Sequence, residues 1–398
     1  MSTDRYTEVT TESWGSRIGN SIKGIFIGIL LIIAAFPVLF LNEGRAVKRY
    51  KTLKEGGSNV IAVKAEKVDP ALQDKLIHIS GVAKTQDILH DDQFGVTTNA
   101  MALIREVQMY QWKESKTTKE EKQLGGSVKK VTTYDYTKVW SDRAISSNDF
   151  KVQANHQNPG RLPFEDHREL ASNVFLGEYE LGQNIVGAFE GATAFSVSDT
   201  SKLPKEVKQK TVAHAGGYYI GQSPQSPQIG DVKVHFKIIK PETSVSVVGK
   251  QVDNHIEKYK TDVGGDILLI EMGLVSADDM FKKAQAQNTM FTWLLRGLGF
   301  ILMVIGFATV LKPLSVLADV VPFIGNLVES GTALIAILLG GMLSLITIAI
   351  GWIAFRPVLG LSILAIAGVF GFLGFLRMKA GKAKRKARIE AMDLSMPA

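Results

Sequence analysis

Seven histidines are the side chains best suited to acid–base or metal chemistry here: His78, His90, His156, His167, His214, His235 and His255. No two stand at the H-x-x-x-H or H-E-x-x-H spacing that places two imidazoles on one helix face for a metal. His90-Asp91-Asp92 and Asp166-His167-Arg168-Glu169 are polar clusters able to hold an ion, and read more simply as solvated loops. Cysteine is absent, which removes thiolate metal sites, disulfides and thiol nucleophiles together. There is no G-x-S-x-G elbow, no G-x-x-x-x-G-K-S/T phosphate cradle and no dinucleotide fingerprint closing a strand. Gly297-x-Gly299 lies inside an apolar run and cannot cradle phosphate. The expectation is a protein with no enzymatic activity, no metal and no cofactor.

Four other charges sit where charge is costly. Asn42-Glu43-Gly44-Arg45 closes one long apolar run, Arg296 lies near the start of a second, and Arg356 separates two more. Glu43 is placed to pair with Arg296 or Arg356 and clamp the first run against the others; alternatively, each charge snorkels to lipid headgroups. Glu43, Arg45, Arg296 and Arg356 are therefore candidate structural or interaction residues. A second candidate is the tail RMKAGKAKRKAR, where Lys382, Lys384, Arg385, Lys386 and Arg388 could hold anionic lipid at about 1 kcal/mol per cation. With no aromatic residues interleaved, nucleic acid is not the expected partner.

The elements that carry these residues are set by hydropathy. Residues 24–41, 290–311, 331–355 and 357–376 are apolar, with Arg296 the one charge among them. About 20 such residues cross the roughly 30 Å hydrocarbon core, so each run is long enough to span. Gly24, Gly28, Gly299, Gly306, Gly368, Gly371 and Gly374 supply the small surfaces by which membrane helices approach closely, within one bundle or between copies. From 42 to 289 the period changes to two. Leu103, Arg105 and Val107 alternate with Ile104, Glu106 and Gln108, and 101–115 with 127–140 form a long hairpin across Gly125-Gly126. Further strands are expected at 175–181, 211–220, 231–239, 243–251 and 265–272, with a short helix near 184–190. Ser276, with Asp278 and Asp279 behind it, caps a helix that continues into the second span. The fold class is an α+β membrane protein with four transmembrane helices, one N-terminal and three C-terminal, and a large mainly β domain after the first.

The expected order is a polar, mobile segment 1–23, span 24–41, β domain 42–289, span 290–311, amphipathic segment 312–330, spans 331–355 and 357–376, and basic tail 377–398. Of 398 residues with a formal charge of +7, the cationic excess lies largely in the tail. Arg5, Arg17, Lys23, Lys312 and the tail outweigh Arg356 in the short flanks, which puts both termini in the cytoplasm and 42–289 outside. A long exported domain without cysteine or an N-x-S/T sequon points to a bacterial inner membrane.

Several stretches taken in order resemble the transmembrane protein 43 (LUMA) family. They are Asn42-Glu43-Gly44-Arg45-Ala46, His78-Ile79-Ser80-Gly81, Met109-Tyr110-Gln111-Trp112, VKKVTTYDY over 128–136 and Trp140. Ser276-Ala277-Asp278-Asp279, Thr292-Trp293 with Arg296-Gly297, and Gly351-Trp352 with Phe355-Arg356-Pro357 complete the set. The resemblance implies one N-terminal span, a large exoplasmic domain and a C-terminal membrane block. It also implies a role in organising membrane protein complexes, and residence in the endoplasmic reticulum and inner nuclear membrane if the source is an animal. The expected function is an integral membrane scaffold whose partners are the bilayer, other membrane proteins and further copies of itself. The alternative is an oligomeric ion channel or transporter-like pore.

Overall fold

The computed structural model describes residues 4–358 and 362, so the fourth expected span and the basic tail lie essentially outside the described residues. The chain divides into two compact units. The first comprises residues up to Arg17, Arg49–Asn288 and Leu317–Gly325; the second comprises Ile18–Lys48, Thr289–Val316 and the chain from Asn326.

The chain opens with strand β1 (Asp4–Glu12), which gives way to helix α1 (Trp14–Asn59). Ser13 caps that helix, its hydroxyl accepting from the Ser16 N–H. In the first unit follow β2 (Leu76–Thr85), β3 (Ala102–Lys122), β4 (Val128–Ser141), β5 (Val232–Ile239) and β6 (Glu242–Val252). One antiparallel sheet runs β1-β4-β3-β5 and on to Gly217–Ile220 and Thr211–His214. The other is built around β2 paired with β6, with Ile79 opposite Val247. Alternation supplies the core between them. Leu103, Val107 and Met109 of β3, Val232, Val234 and Phe236 of β5, Ile77 and Ile79 of β2, and Val245 and Val247 of β6 are all buried. A second apolar cluster joins Leu53 of α1 to Leu76, Val248, Ile267 and Phe281. Gly56 is required there, because a Cβ would lie 2.2 Å from the Ile267 side chain.

Several expected strands are interrupted. Thr211–His214 and Gly217–Ile220 are two strands turning at Ala215 and Gly216, both at positive φ. Val174–Leu176 and Tyr179–Glu180 are separated by Gly177 at φ +62. The hairpin is longer than periodicity suggested, because the polar run from Lys113 to Lys122 stays paired to β4 throughout. Beyond Trp112 its burial comes from Val128, Thr132 and a small cluster of Tyr134, Tyr136 and Phe150.

The N-terminal segment, expected to be mobile, is ordered instead. Residues 4–12 form a nine-residue ladder with β4, from Asp4 opposite Tyr136 to Glu12 opposite Val128. Alternating Thr, Val and Tyr suit a pleated edge better than their polarity suggested.

The second unit is helical. α2 (Ala277–Ala318) and α3 (Pro322–Phe355) are joined by residues 319–321, so 312–330 is the end of one helix and the start of the next. Ser276 caps α2 as expected, accepting from the Asp279 N–H and donating to its carboxylate. Among the described residues, three helices are long and apolar enough to cross a membrane. Ala35, Leu39 and Met303 are buried, whereas Phe26, Leu30, Leu294, Ile301, Leu338 and Leu345 are exposed. An outer face of large apolar residues has bilayer, not water, as its natural solvent.

Candidate functional site

The helical unit holds a polar knot built on Glu43, one of its most deeply buried charges at 1% exposure. The Arg296 Nε donates to Glu43 Oε1 at 2.7 Å and its Nη2 to Oε2 at 2.8 Å. Trp352 Nε1 adds a third bond to Oε2 at 2.9 Å. The Arg296 guanidinium lies over the rings of Trp293 and Trp352, 4.8 and 5.6 Å from their centroids. Two residues along α1, Arg45 donates to Asn42 Oδ1 and Thr292 Oγ1, and stacks 4.7 Å from the Phe291 centroid. Asn42 donates to the Thr292 carbonyl at 3.0 Å.

Glycines permit this closeness. A Cβ on Gly44 would stand 2.7 Å from the Phe355 ring, and one on Gly351 would stand 3.0 Å from Glu43 Cγ. The bidentate fork matches the carboxylate, and each carboxylate oxygen already has a partner. Such a site can fix helices against one another, but its acid has no idle oxygen for catalysis.

Of the two arginines weighed as partners for Glu43, Arg296 makes the contact. Arg356 is exposed and makes no ion pair among the described residues. Trp352 was not foreseen as a ligand of Glu43; its place beside Gly351 was the available signal. Lys382, Lys384, Arg385, Lys386 and Arg388 lie outside the described residues.

The β unit brings together the two polar clusters singled out from sequence. Arg105 occupies the buried phase of β3, between Leu103 and Val107, and its Nη1 grips both Asp91 oxygens at 2.7 and 2.8 Å. Its Nε donates to the Glu165 carbonyl, and its guanidinium faces the Phe94 ring at 5.3 Å. Asp166 accepts the Val107 N–H at 2.7 Å, while His167 pairs with Glu169 at 3.4 Å. An open cleft of about 1280 Å³ borders them, lined by Arg105, Arg143, Arg161, Phe164 and His167 among others. Asp91 and Asp166 are thus already engaged by protein donors. Among the described residues no group of three or more His, Cys, Asp and Glu is placed to hold a metal.

A third knot was missed. Asp319, 1% exposed, pairs with Lys122 at 2.8 Å and with Arg17, whose other amino group donates to the Gly126 carbonyl. An acid set between two apolar runs was the signal.

A family model described as Transmembrane protein 43 matches residues 109–357. Mouse (Mus musculus) transmembrane protein 43 is 30% identical over 365 residues, 88% of this chain and 90% of the mouse protein. The human (Homo sapiens) protein is 29% identical over 376 residues, 92% of this chain and 93% of its own. The Drosophila melanogaster homolog is 31% identical over 363 residues, 88% and 93% of the two chains. No solved structure matches the chain.

Proposed function

The chain belongs to the transmembrane protein 43 family, and on that premise we propose that it is an integral membrane scaffold, organising membrane protein complexes without catalysing a reaction. The Glu43–Arg296–Trp352 knot carries the reading. An ionisable pair inside a membrane bundle is costly unless it serves a purpose. Here the two charges neutralise each other and spend their donors and acceptors on holding helices. A conducting path needs polar groups left facing a cavity, so this arrangement supports a fixed frame over the pore alternative.

The basic residues in the short flanks favour both termini in the cytoplasm and 42–289 outside. The ladder pairing 4–12 with 128–136 argues against that split, so the scaffold proposal does not depend on orientation. It includes association of copies, and anionic lipid at Lys382, Lys384, Arg385, Lys386 and Arg388. Chemical cross-linking in native membranes, read on denaturing gels with mass spectrometry, tests the scaffold. Discrete species above the monomer, containing further copies or other membrane proteins, are expected. A chain that stays monomeric and alone at every cross-linker concentration overturns it.

A further inference from the structure

We propose that the open cleft beside Arg105 is a binding site for a small, singly charged organic acid with an apolar body, its carboxylate received by the free edge of the Arg105 guanidinium.

The cleft follows from strand pairing. β4 leaves β3 at Met109, opposite Ser141, and the strand His167–Leu170 takes up the same edge only at Arg105, opposite His167. β5 holds the other edge of β3 throughout this stretch. Residues 106–108 therefore have a strand on one edge alone. Residues 142–144 and 159–166 of the intervening chain line the space this leaves, about 1280 Å³. A backbone donor turned into such a gap needs an acceptor. The Val107 N–H finds one in the Asp166 carboxylate at 2.7 Å.

Arg105 has no such complete answer. Its side chain stands in the core phase of β3 and is 8% exposed. A guanidinium offers five N–H groups in a planar fork. Nε donates to the Glu165 carbonyl at 3.0 Å, and Nη1 takes both oxygens of Asp91. The Phe94 ring lies against the guanidinium at 5.3 Å. Nη2, with two N–H groups, has no partner among the described residues. A donor buried this deeply is normally satisfied. Arg105 lines the cleft, so the cleft is where an acceptor reaches it.

The neighbouring side chains select that acceptor. Arg143 and Arg161 are exposed on the lining, and neither guanidinium is held by an ion pair among the described residues. Asp142, Glu165 and Asp166 line the cleft as well, so three arginines meet three acids and no net field gathers polyanions. Recognition is then short-range, and a planar carboxylate matches the edge of a guanidinium. Leu162 and Phe164, both partly exposed on the same lining, give the rest of the ligand an apolar surface. Inorganic phosphate lacks that apolar body.

The chain has no cysteine, which makes the test direct. Ala144→Cys, at an exposed position on the lining, carries a single environment-sensitive dye in the purified full chain. Titration with hexanoate should give a saturable change in emission. Hexanamide, the same body without the charge, should give none over the same range, and inorganic phosphate should bind more weakly than hexanoate. Arg105→Lys keeps a cation beside Asp91 but has no second nitrogen to offer. It should weaken hexanoate roughly tenfold, the fold-change one hydrogen bond to a charged group is worth. Should Arg105→Lys fail to fold, Arg161→Gln, at an exposed position, decides in its place and should weaken hexanoate several-fold. Lys138→Gln, whose lysine lies over Trp112 and outside the cleft lining, should leave binding as it was. No saturation, an equal response to hexanamide, tighter binding of phosphate, or a loss at Lys138→Gln as large as at the arginine overturns the proposal. So does hexanoate binding unchanged in the deciding arginine variant.

Discussion

Glu43 shows how one side chain can hold several elements. Removing it by Glu43→Ala leaves the partly buried Arg296 guanidinium without a counter-charge, which should cost up to about 3–5 kcal/mol of stability. Trp352→Phe deletes one bond to a charged group and should cost less, roughly 1.5–3 kcal/mol. The exchange Glu43→Arg with Arg296→Glu should recover part of the loss, and thermal unfolding in detergent reads all three. His78 ties stability to pH. Burial holds its imidazole below the usual histidine range, and the bond from Nε2 to the Val275 carbonyl only partly opposes this. The folded chain therefore binds that proton less readily than the unfolded one. The stabilisation is complete above the ordinary histidine range and is lost as pH falls through it. Melting temperature should drop on that acid limb, and His78→Gln should flatten it; a wild-type curve level across the range contradicts the reading.

Among the elements, the helices were legible because their signal is continuous. Runs of apolar residues, the Ser276 cap and the glycines at packing intervals all have local causes. The glycines also make a comparison. A Cβ on Gly28 would stand 2.7 Å from the Gly306 carbonyl, and one on Gly306 would stand 2.8 Å from the Gly28 carbonyl, so backbone meets backbone. Gly297 has nothing within 4 Å. Gly28→Ala or Gly306→Ala should lower the detergent melting temperature by several degrees, at roughly 1–3 kcal/mol for overpacking, while Gly297→Ala should leave it unchanged. Equal effects at all three positions would contradict the packing. Strands were less legible where pairing, not composition, decides. β1 reads as a polar tail until its partner is known, because its stability lies in a ladder with residues more than a hundred positions away. The same distance hid the partners of Arg105: its buried phase on β3 was visible in the alternation, but nothing local named Asp91 as its acid.

At the scale of the molecule, membership of the transmembrane protein 43 family and the three long apolar helices among the described residues describe a membrane protein with a large β-rich unit. Charge counting addressed its orientation but not its joins. The Lys122–Asp319 pair and the β1 ladder link segments that a simple count assigns to opposite faces. These are long-range contacts that no window of sequence contains. The knot at Glu43 was partly legible for a physical reason: acid and base at the margins of apolar runs have few places to go except toward each other. The scaffold reading makes that knot the frame on which partners assemble. The most direct measurement is therefore cross-linking in native membranes of wild type, Glu43→Ala and the Glu43→Arg, Arg296→Glu exchange, at matched membrane levels. The account predicts discrete assemblies in the wild type, their loss in Glu43→Ala and their partial return in the exchange. Assemblies of the same size and yield in Glu43→Ala, or a wild type that is monomeric throughout, would contradict it.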